Sequence, residues 1–273
     1  MSAELIYDVR APHLQALAGE LIEALRIRTI PIGMKLFEDV EDMRRVKGVR
    51  APTEGFQFTM CQMVGQSRTA GFTLGIVHEN TRMHSNCGGV AGLNVPGEDF
   101  LSGAQMDGVW FGNREASKAH QTEMVRVEPK YQGLCVSPLR TGRLDPPDIV
   151  LFYANPAQTI LFVNGLQHQR YKRYDMTITG ETACSDSWGR ALATGETSIS
   201  IPCFAERRYG GVADDELLLA MPPDEFVRGM EGLRALGKVG LRYPIVPYGT
   251  QMDPAAGMSA SYPGSAPDPD PGE

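Results

Sequence analysis

The chain has 273 residues, with 26 Lys and Arg against 33 Asp and Glu, a net charge of −7 and a pI near 5.3. That acidic balance argues against broad nucleic-acid binding, which needs a basic surface, and no apolar run approaches the roughly 20 residues that span a bilayer. The N-terminal stretch MSAELIYDVRAP lacks the charged-then-apolar order of a signal peptide, so a cytoplasmic location is expected, with neither nucleic acid nor membrane as partner.

In chain order, Leu14, Leu17, Leu21, Ile22 and Leu25 recur at helical spacing after Pro12, which predicts an amphipathic helix over 11–27. Residues 29–37 read as a strand and 40–46 as a short charged helix. Strands are expected over 56–60 and 72–77, and a polar loop over 78–86. A loop follows at 95–103, then a strand at 108–111, a helix at 114–124 and a strand at 133–137. The polar, proline-containing stretch 140–147 reads as a seam. Residues 148–153 form an apolar strand, and Asn155-Pro156 caps a helix reaching about Val163. The alternation of 174–178 predicts a strand, and helices are expected over 214–220 and 223–236, the latter burying Phe226, Met230 and Leu233. The tail, 250–273, is rich in Pro, Gly, Ala, Ser and Asp and is expected to be disordered.

Five cysteines without a signal peptide argue against a disulfide framework and for thiols, metal ligation or catalysis. Four of them fall in two matched blocks. Cys61 opens a helix-length step to Gly71, followed by an apolar strand and Asn86-Cys87-Gly88-Gly89. Cys184 opens a step one residue longer to Gly195, followed by a strand and Pro202-Cys203. The repetition predicts an α/β or α+β fold of mixed sheets with flanking helices. Two pseudo-twofold-related halves, 1–139 and 140–249, would form one compact unit around a shared cysteine site.

A cysteine at a helix N-terminus meets free N–H groups and a partial positive charge, which are expected to lower its pKa toward the thiolate that a metal requires. Gly88 and Gly89 would let the backbone approach a bulky cofactor. Neither block contains CxxC, which weakens a zinc-knuckle reading; widely spaced single cysteines fit an iron–sulfur cluster, 4Fe-4S foremost, with zinc as the alternative. Cys135, inside an apolar strand, reads as core. Lys35 interrupts an apolar strand, either guarding an edge or binding an anion. His78 and His84 are proton-transfer candidates in a stretch that also reads as a solvated loop. Arg207 is placed to clamp a carboxylate or to pair with Glu206 or Asp186.

Pro31-Ile-Gly-Met-Lys35-Leu-Phe, Cys61, Asn86-Cys87-Gly-Gly, Asp148-Ile-Val-Leu-Phe-Tyr-Ala-Asn155-Pro, Cys184 and Cys203-Phe-Ala-Glu-Arg207 together resemble the prokaryotic family catalogued as domain of unknown function 169. The resemblance runs from the first helix to the helix of Leu233. In that family the last segment usually reads Cys-x-Gly-Asp-Arg; here Ala205 replaces the glycine and Glu206 the aspartate, which keeps the charges and adds a methylene. The resemblance implies a cysteine pattern spanning the fold and no particular substrate.

The expected function is an iron–sulfur enzyme of hydratase or dehydratase type acting on a small anionic or hydroxylated molecule. The cluster would be held by Cys61, Cys87, Cys184 and Cys203, and Lys35, His78, His84 and Arg207 would serve the substrate. A redox protein, a module with a structural metal and a metal-free thiol protein are the alternatives, and a homodimer is expected.

Overall fold

Four leucines on one stripe dictate the first element. Helix α1 (Ala11–Leu25) turns Leu14, Leu17, Leu21 and Leu25 to the interior, where all four are fully buried, each stabilising the fold by about 1.5–3 kcal/mol. Pro12 sits in the first turn, where its missing N–H would find no intrahelical partner anyway. The backbone N–H of Ala11 is instead satisfied from outside, where proline is not involved, by the Asp145 carboxylate at 2.8 Å. The computed structural model describes residues 7–82 and 84–246, the side chains of residues 84 and 85 excepted; the tail expected over 250–273 lies outside them.

Six strands form one sheet: β1 (Ile32–Phe37), β2 (Leu74–Val77), β3 (Gly133–Pro138), β4 (Ile149–Ala154), β5 (Ser198–Ser200) and β6 (Leu217–Met221), in the order β2-β3-β1-β4-β6-β5. Every neighbouring pair is antiparallel. One antiparallel sheet with flanking helices therefore replaces the several mixed sheets expected. Outward from the central β1–β4 pair, each side shows the first, third and second strand of its half.

The period of two divides the sheet into faces. Met34, Leu36, Leu134, Val136, Leu151, Tyr153, Leu218 and Ala220 belong to one apolar layer. Val150, Phe152, Ala154, Leu219 and Met221 belong to the other, beneath α1, α6 (Pro156–Gln167) and α9 (Pro223–Lys238). There Phe152 meets Phe162 edge-on with ring centroids 4.9 Å apart. Helices α6 and α9 approach so closely that a Cβ on Gly165 would lie 2.5 Å from the Gly229 carbonyl oxygen.

Several segments differ from expectation for a common reason, competition from tertiary packing. Residues 217–221, rich in helix-favouring Leu and Ala, are strand β6 because its two edges pair with β4 and β5 while its faces fill the two apolar layers. The expected strands over 56–60, 108–111 and 174–178 contribute only isolated bridges, Phe58 to Thr81, Asp107 to Phe111 and Met176 to Ile199. The expected loop over 78–86 contains a 3₁₀ turn at His78–Asn80 and enters a π-helical turn at His84–Gly88. Among the described residues, no helix is long and apolar enough to cross a membrane.

Two glycines test this packing. A Cβ on Gly232 collides with the backbone of Gly165, whereas one on Gly19, inside α1, meets nothing within 4 Å. Gly232→Ala is expected to cost about 1–3 kcal/mol by overpacking and to lower Tm by several degrees. Gly19→Ala is expected to add about 0.5–1 kcal/mol through helix propensity. Thermal unfolding of both variants checks the contrast.

Candidate cysteine centre

Cys61 is the second residue of α3 (Met60–Ala70). The helix starts there because Thr59 and Gln62 close a reciprocal cap: the Thr59 hydroxyl accepts from the Gln62 N–H at 3.0 Å, and the Gln62 side chain accepts from the Thr59 N–H at 2.9 Å. It ends at Gly71, whose φ of 78° is left-handed. Cys203 caps α8 (Phe204–Gly210) in a similar way, its thiol accepting from the Glu206 N–H while the Glu206 carboxylate accepts from the Cys203 N–H at 3.1 Å. Glycines bring α3 and α8 together: a Cβ on Gly65 would lie 2.6 Å from the Gly210 carbonyl oxygen. Cys61 and Cys203 thus join one small buried cluster with Ala183 and Ala205.

The other two cysteines meet by a comparable contact. Cys87 lies in the π-helical turn after β2, and Cys184 immediately precedes a second one, Ser185–Gly189, which continues into α7 (Arg190–Thr194) and β5. A Cβ on Gly189 would strike Val90, three residues past Cys87. Gly65 stands six residues before the left-handed Gly71, and Gly189 six before the left-handed Gly195. Cys61 stands ten before its cap and Cys184 eleven. The extra residue is taken up by the π turn, in which the Gly189 N–H donates to the Cys184 carbonyl at 2.8 Å.

The Cys87 and Cys184 thiols share a hydrogen bond, sulfur to sulfur at 3.3 Å, and Cys61 hydrogen-bonds to Cys87. Cys203 interacts electrostatically with Cys61, Cys87 and Cys184. All four are buried and none is in a disulfide. Cys135 stands apart in β3, in another buried cluster with Met43 and Leu144. Among the described residues, no group of three or more His, Cys, Asp or Glu is arranged to hold a metal ion.

Burial reverses the expected effect of the helix N-termini. The hydrogen bond to Cys87, then burial, pushes Cys61 well up; the bond to Cys184 does the same to Cys87. Burial raises Cys184 to about 11 and Cys203 to about 12. Partial charges of roughly half a unit at helix ends do not repay the loss of water around neighbouring thiolates.

Sequence reasoning missed the groups beneath the cysteines. Glu206, considered only as a partner for Arg207, is buried, and burial pushes it up to about 7 against the hydrogen bonds from the Cys203 N–H and the Tyr153 hydroxyl. The Arg68 guanidinium lies over the Tyr153 ring, 4.1 Å from its centroid, and pairs with buried Glu216 at 3.0 Å. One signal was available: Arg68 follows Cys61 by seven residues, two turns along the same face of α3. Asn86 Oδ1, next to Cys87 in the chain, is buried with no hydrogen-bond partner among the described residues.

The other candidates are dispersed. Lys35 faces away from the layer of Cys87 and Cys184; it alternates with Met34 and Leu36, and its ammonium donates to the Pro146 carbonyl at 2.9 Å. His78 is exposed in the 3₁₀ turn after β2, and the His84 side chain lies outside the described atoms. Arg207, on the helix capped by Cys203, donates to the Ala213 carbonyl at 2.6 Å. The room made by Gly88 is used by the protein itself, since a Cβ there would lie 2.7 Å from Asn94 Oδ1. Gly89 continues the turn toward Val90. A cleft of about 640 Å³ opens at the first turn of α3, lined by Phe56, Gln57, Thr59, Gln62, Arg82 and Tyr209 among others.

A family model designated DUF169 and described as an uncharacterised ArCR family matches residues 20–232. The chain belongs to the DUF169 family. The matched stretch contains all six strands and all four clustered cysteines of this DUF169 protein. The uncharacterized protein MJ0308 of Methanocaldococcus jannaschii is 22% identical over 134 residues, 48% of this chain and 57% of that protein. The chain thus spans little more than half the length of that relative. No solved structure matches.

Glu206 makes the metal-free protein pH-sensitive. Its folded pKa of about 7 lies above the ordinary 4.5. Between these values the folded state holds a proton that the unfolded state has lost, so stability falls as pH rises and the full penalty is present above about 7. Glu206→Gln is expected to remove this slope and to gain on the order of 3 kcal/mol at about pH 8. Urea unfolding of both proteins at about pH 5 and about pH 8 measures it.

Proposed function

We propose that this DUF169 protein holds an iron–sulfur cluster on Cys61, Cys87, Cys184 and Cys203, and that it is a hydro-lyase for a small anionic or hydroxylated substrate. One observation carries the proposal: the buried Cys61, Cys87 and Cys184 thiols are linked by hydrogen bonds and Cys203 interacts electrostatically with them, while Cys135 lies elsewhere. The donor set suits a soft metal centre. The orphaned Asn86 oxygen beside Cys87 is a further polar group without a partner. Thiols raised by burial are those that a metal's positive charge would bring to thiolate, releasing protons on loading.

Support for a pseudo-twofold arrangement comes from the mirrored strand order and the two glycine contacts, Gly65 on Gly210 and Gly189 on Val90. It exchanges Cys61 with Cys184 and Cys87 with Cys203, so each half gives one cysteine before its second strand and one after it.

With one of the four thiolates displaced from its iron, the cluster would supply a Lewis acid for a substrate hydroxyl or carboxylate. The chain's own contribution is the cleft at the α3 N-terminus. Arg82 in its wall offers a cation to an anionic substrate, and Thr59 and Gln62 form its floor beside Cys61. Lys35 is on the opposite face of the sheet and has no part in this arrangement.

A second reading rests on the Cys87–Cys184 contact. Two thiols 3.3 Å apart need only a small movement to form a disulfide, whose bond is about 2.05 Å, which makes a metal-free redox pair.

Protein purified without oxygen is expected to contain about four irons and four sulfides, with broad absorption near about 400 nm. Alanine at Cys61, Cys87, Cys184 or Cys203 should reduce the iron content, whereas Cys135→Ala should not. One zinc and no iron would replace the cluster with a closed structural metal. No metal, together with a Cys87–Cys184 disulfide after mild oxidation, would establish the redox pair instead.

A further inference from the structure

A second site lies at the other end of α3. A cleft of about 560 Å³ is lined by Gly48, Arg50, Gly71, Phe72, Thr73 and Arg143, together with Val49 and Ala70, and no carboxylate is among these residues. It is separated from Cys61 by the length of the 11-residue helix, about 15 Å at 1.5 Å per residue.

Its arginines are held in place yet keep donors to spare. The Arg50 backbone is fixed on both sides, its N–H donating to the Thr73 carbonyl at 3.0 Å and its carbonyl accepting from the Gly75 N–H at 2.9 Å. The Arg50 guanidinium lies 4.7 Å from the centroid of the Phe72 ring. Arg143 Nη1 donates to the Thr73 hydroxyl at 2.8 Å. That hydroxyl is 2.7 Å from Ser137 Oγ, which is 2.9 Å from Thr141 Oγ1, which donates to the Pro138 carbonyl at 2.8 Å. With a guanidinium at one end and a carbonyl at the other, every hydroxyl in this chain donates away from Arg143. Thr73 therefore serves Arg143 as an acceptor only, and that bond uses one of the five guanidinium N–H donors.

Space for the Arg143 head comes from Gly48, where a Cβ would lie 3.1 Å from the guanidinium carbon. Arg140 Nη2 lies 3.5 Å from the position of a Cβ on Gly71. Among the described residues, Arg50, Arg140 and Arg143 form no ion pair, although the chain as a whole carries −7. The C-terminus of α3 opposes an anion with roughly half a negative charge, against three full positive charges.

We propose that this cleft binds a phosphate monoester, with the phosphate between Arg50 and Arg143 and the organic part against Phe72 and Val49. Forked guanidinium donors match tetrahedral oxyanions. The volume falls within the 300–1,000 Å³ typical of small-molecule sites, larger than a bare phosphate needs.

Calorimetric titration of the full chain with inorganic phosphate and with phenyl phosphate, in chloride of matched ionic strength, tests the site. Saturable binding of phenyl phosphate, tighter than that of inorganic phosphate, is expected. Arg50→Gln and Arg143→Gln should each weaken it about tenfold or more, the loss of one charge-assisted hydrogen bond. Arg50 is exposed, so its variant should melt like the parent. Arg143→Lys keeps the charge but loses the fork, and should bind more weakly than the parent. Equal binding of the two phosphates would mean that the apolar wall is unused and would overturn the ester assignment. No saturation by about 10 mM, or affinity unchanged in the Arg50→Gln, Arg143→Gln double variant, would overturn the site. Equal competition by acetate would replace phosphate with carboxylate and overturn the assignment.

Discussion

The burial of the Cys61, Cys87, Cys184 and Cys203 thiols, the first three linked by hydrogen bonds, is the constraint from which the chemistry of this face of the molecule follows. A neutral thiol packs as a small apolar group, but a thiolate buried beside others has neither water nor a cation to balance it. Burial and the hydrogen bonds among the thiols accordingly displace the pKa values of all four upward. Such a layer is stable as hydrocarbon-like packing and becomes ionic only when positive charge enters. On the proposed metal-binding reading, folding and metal affinity would pull differently on the same residues: burial that favours the neutral core would raise the proton cost of loading a metal.

The fold meets this constraint by close backbone approach. Cysteine side chains are short, so their carriers must come within a few ångströms of one another. Gly65 against Gly210 does this for the segments of Cys61 and Cys203, and Gly189 against Val90 for those of Cys184 and Cys87. The first contact is with backbone and the second with the Val90 side chain, in a fold whose strand order mirrors about β1 and β4. The additional residue in the second block does not shift Gly189 relative to Gly195, because the π turn absorbs it upstream. A one-residue difference that looks like imperfect repetition in the sequence is thus compatible with conserved helix-to-helix contact in space.

The elements legible in the sequence were those with a strong local pattern. The leucine stripe of α1, the Asn155-Pro156 start of α6 and the apolar run of β4 all depend on neighbours within a few positions. Strand β6 was misread because Leu-Leu-Leu-Ala-Met favours helix locally and becomes strand only between β4 and β5. The four cysteines stood out through their repeated context; all four are buried, and Cys87 hydrogen-bonds to both Cys61 and Cys184. Lys35 and Arg207 stood out through charge alone, and neither points to a shared site: one is bound to Pro146, the other to Ala213. Arg68, Glu206 and Glu216 looked like ordinary surface charges, since nothing local marks a charged side chain as buried. Arg50 and Arg143 are 93 positions apart in the chain, and only the pairing of β2 with β3 brings Thr73 and Ser137 together between them.

The buried charges near the cysteines explain why cations there leave the thiols neutral. Arg68 is the most enclosed of them, but Glu216 neutralises it at 3.0 Å, and further Nη donors go to Thr29 and Gly211, while its Nε has no hydrogen-bond partner among the described residues. A paired guanidinium presents a dipole to its surroundings, and the field of a dipole falls away faster than that of a charge. Glu206 then faces the cysteines with only partial compensation from Arg68 and Arg207, and burial prevails, setting it near 7. Removing one partner of the Arg68–Glu216 pair would leave an uncompensated buried charge, at a cost of several kcal/mol, so the pair cannot be relaxed to lend its charge to the sulfurs. On the metal-binding reading proposed above, the positive charge that would convert the thiols to thiolates would therefore come from outside the protein's own side chains.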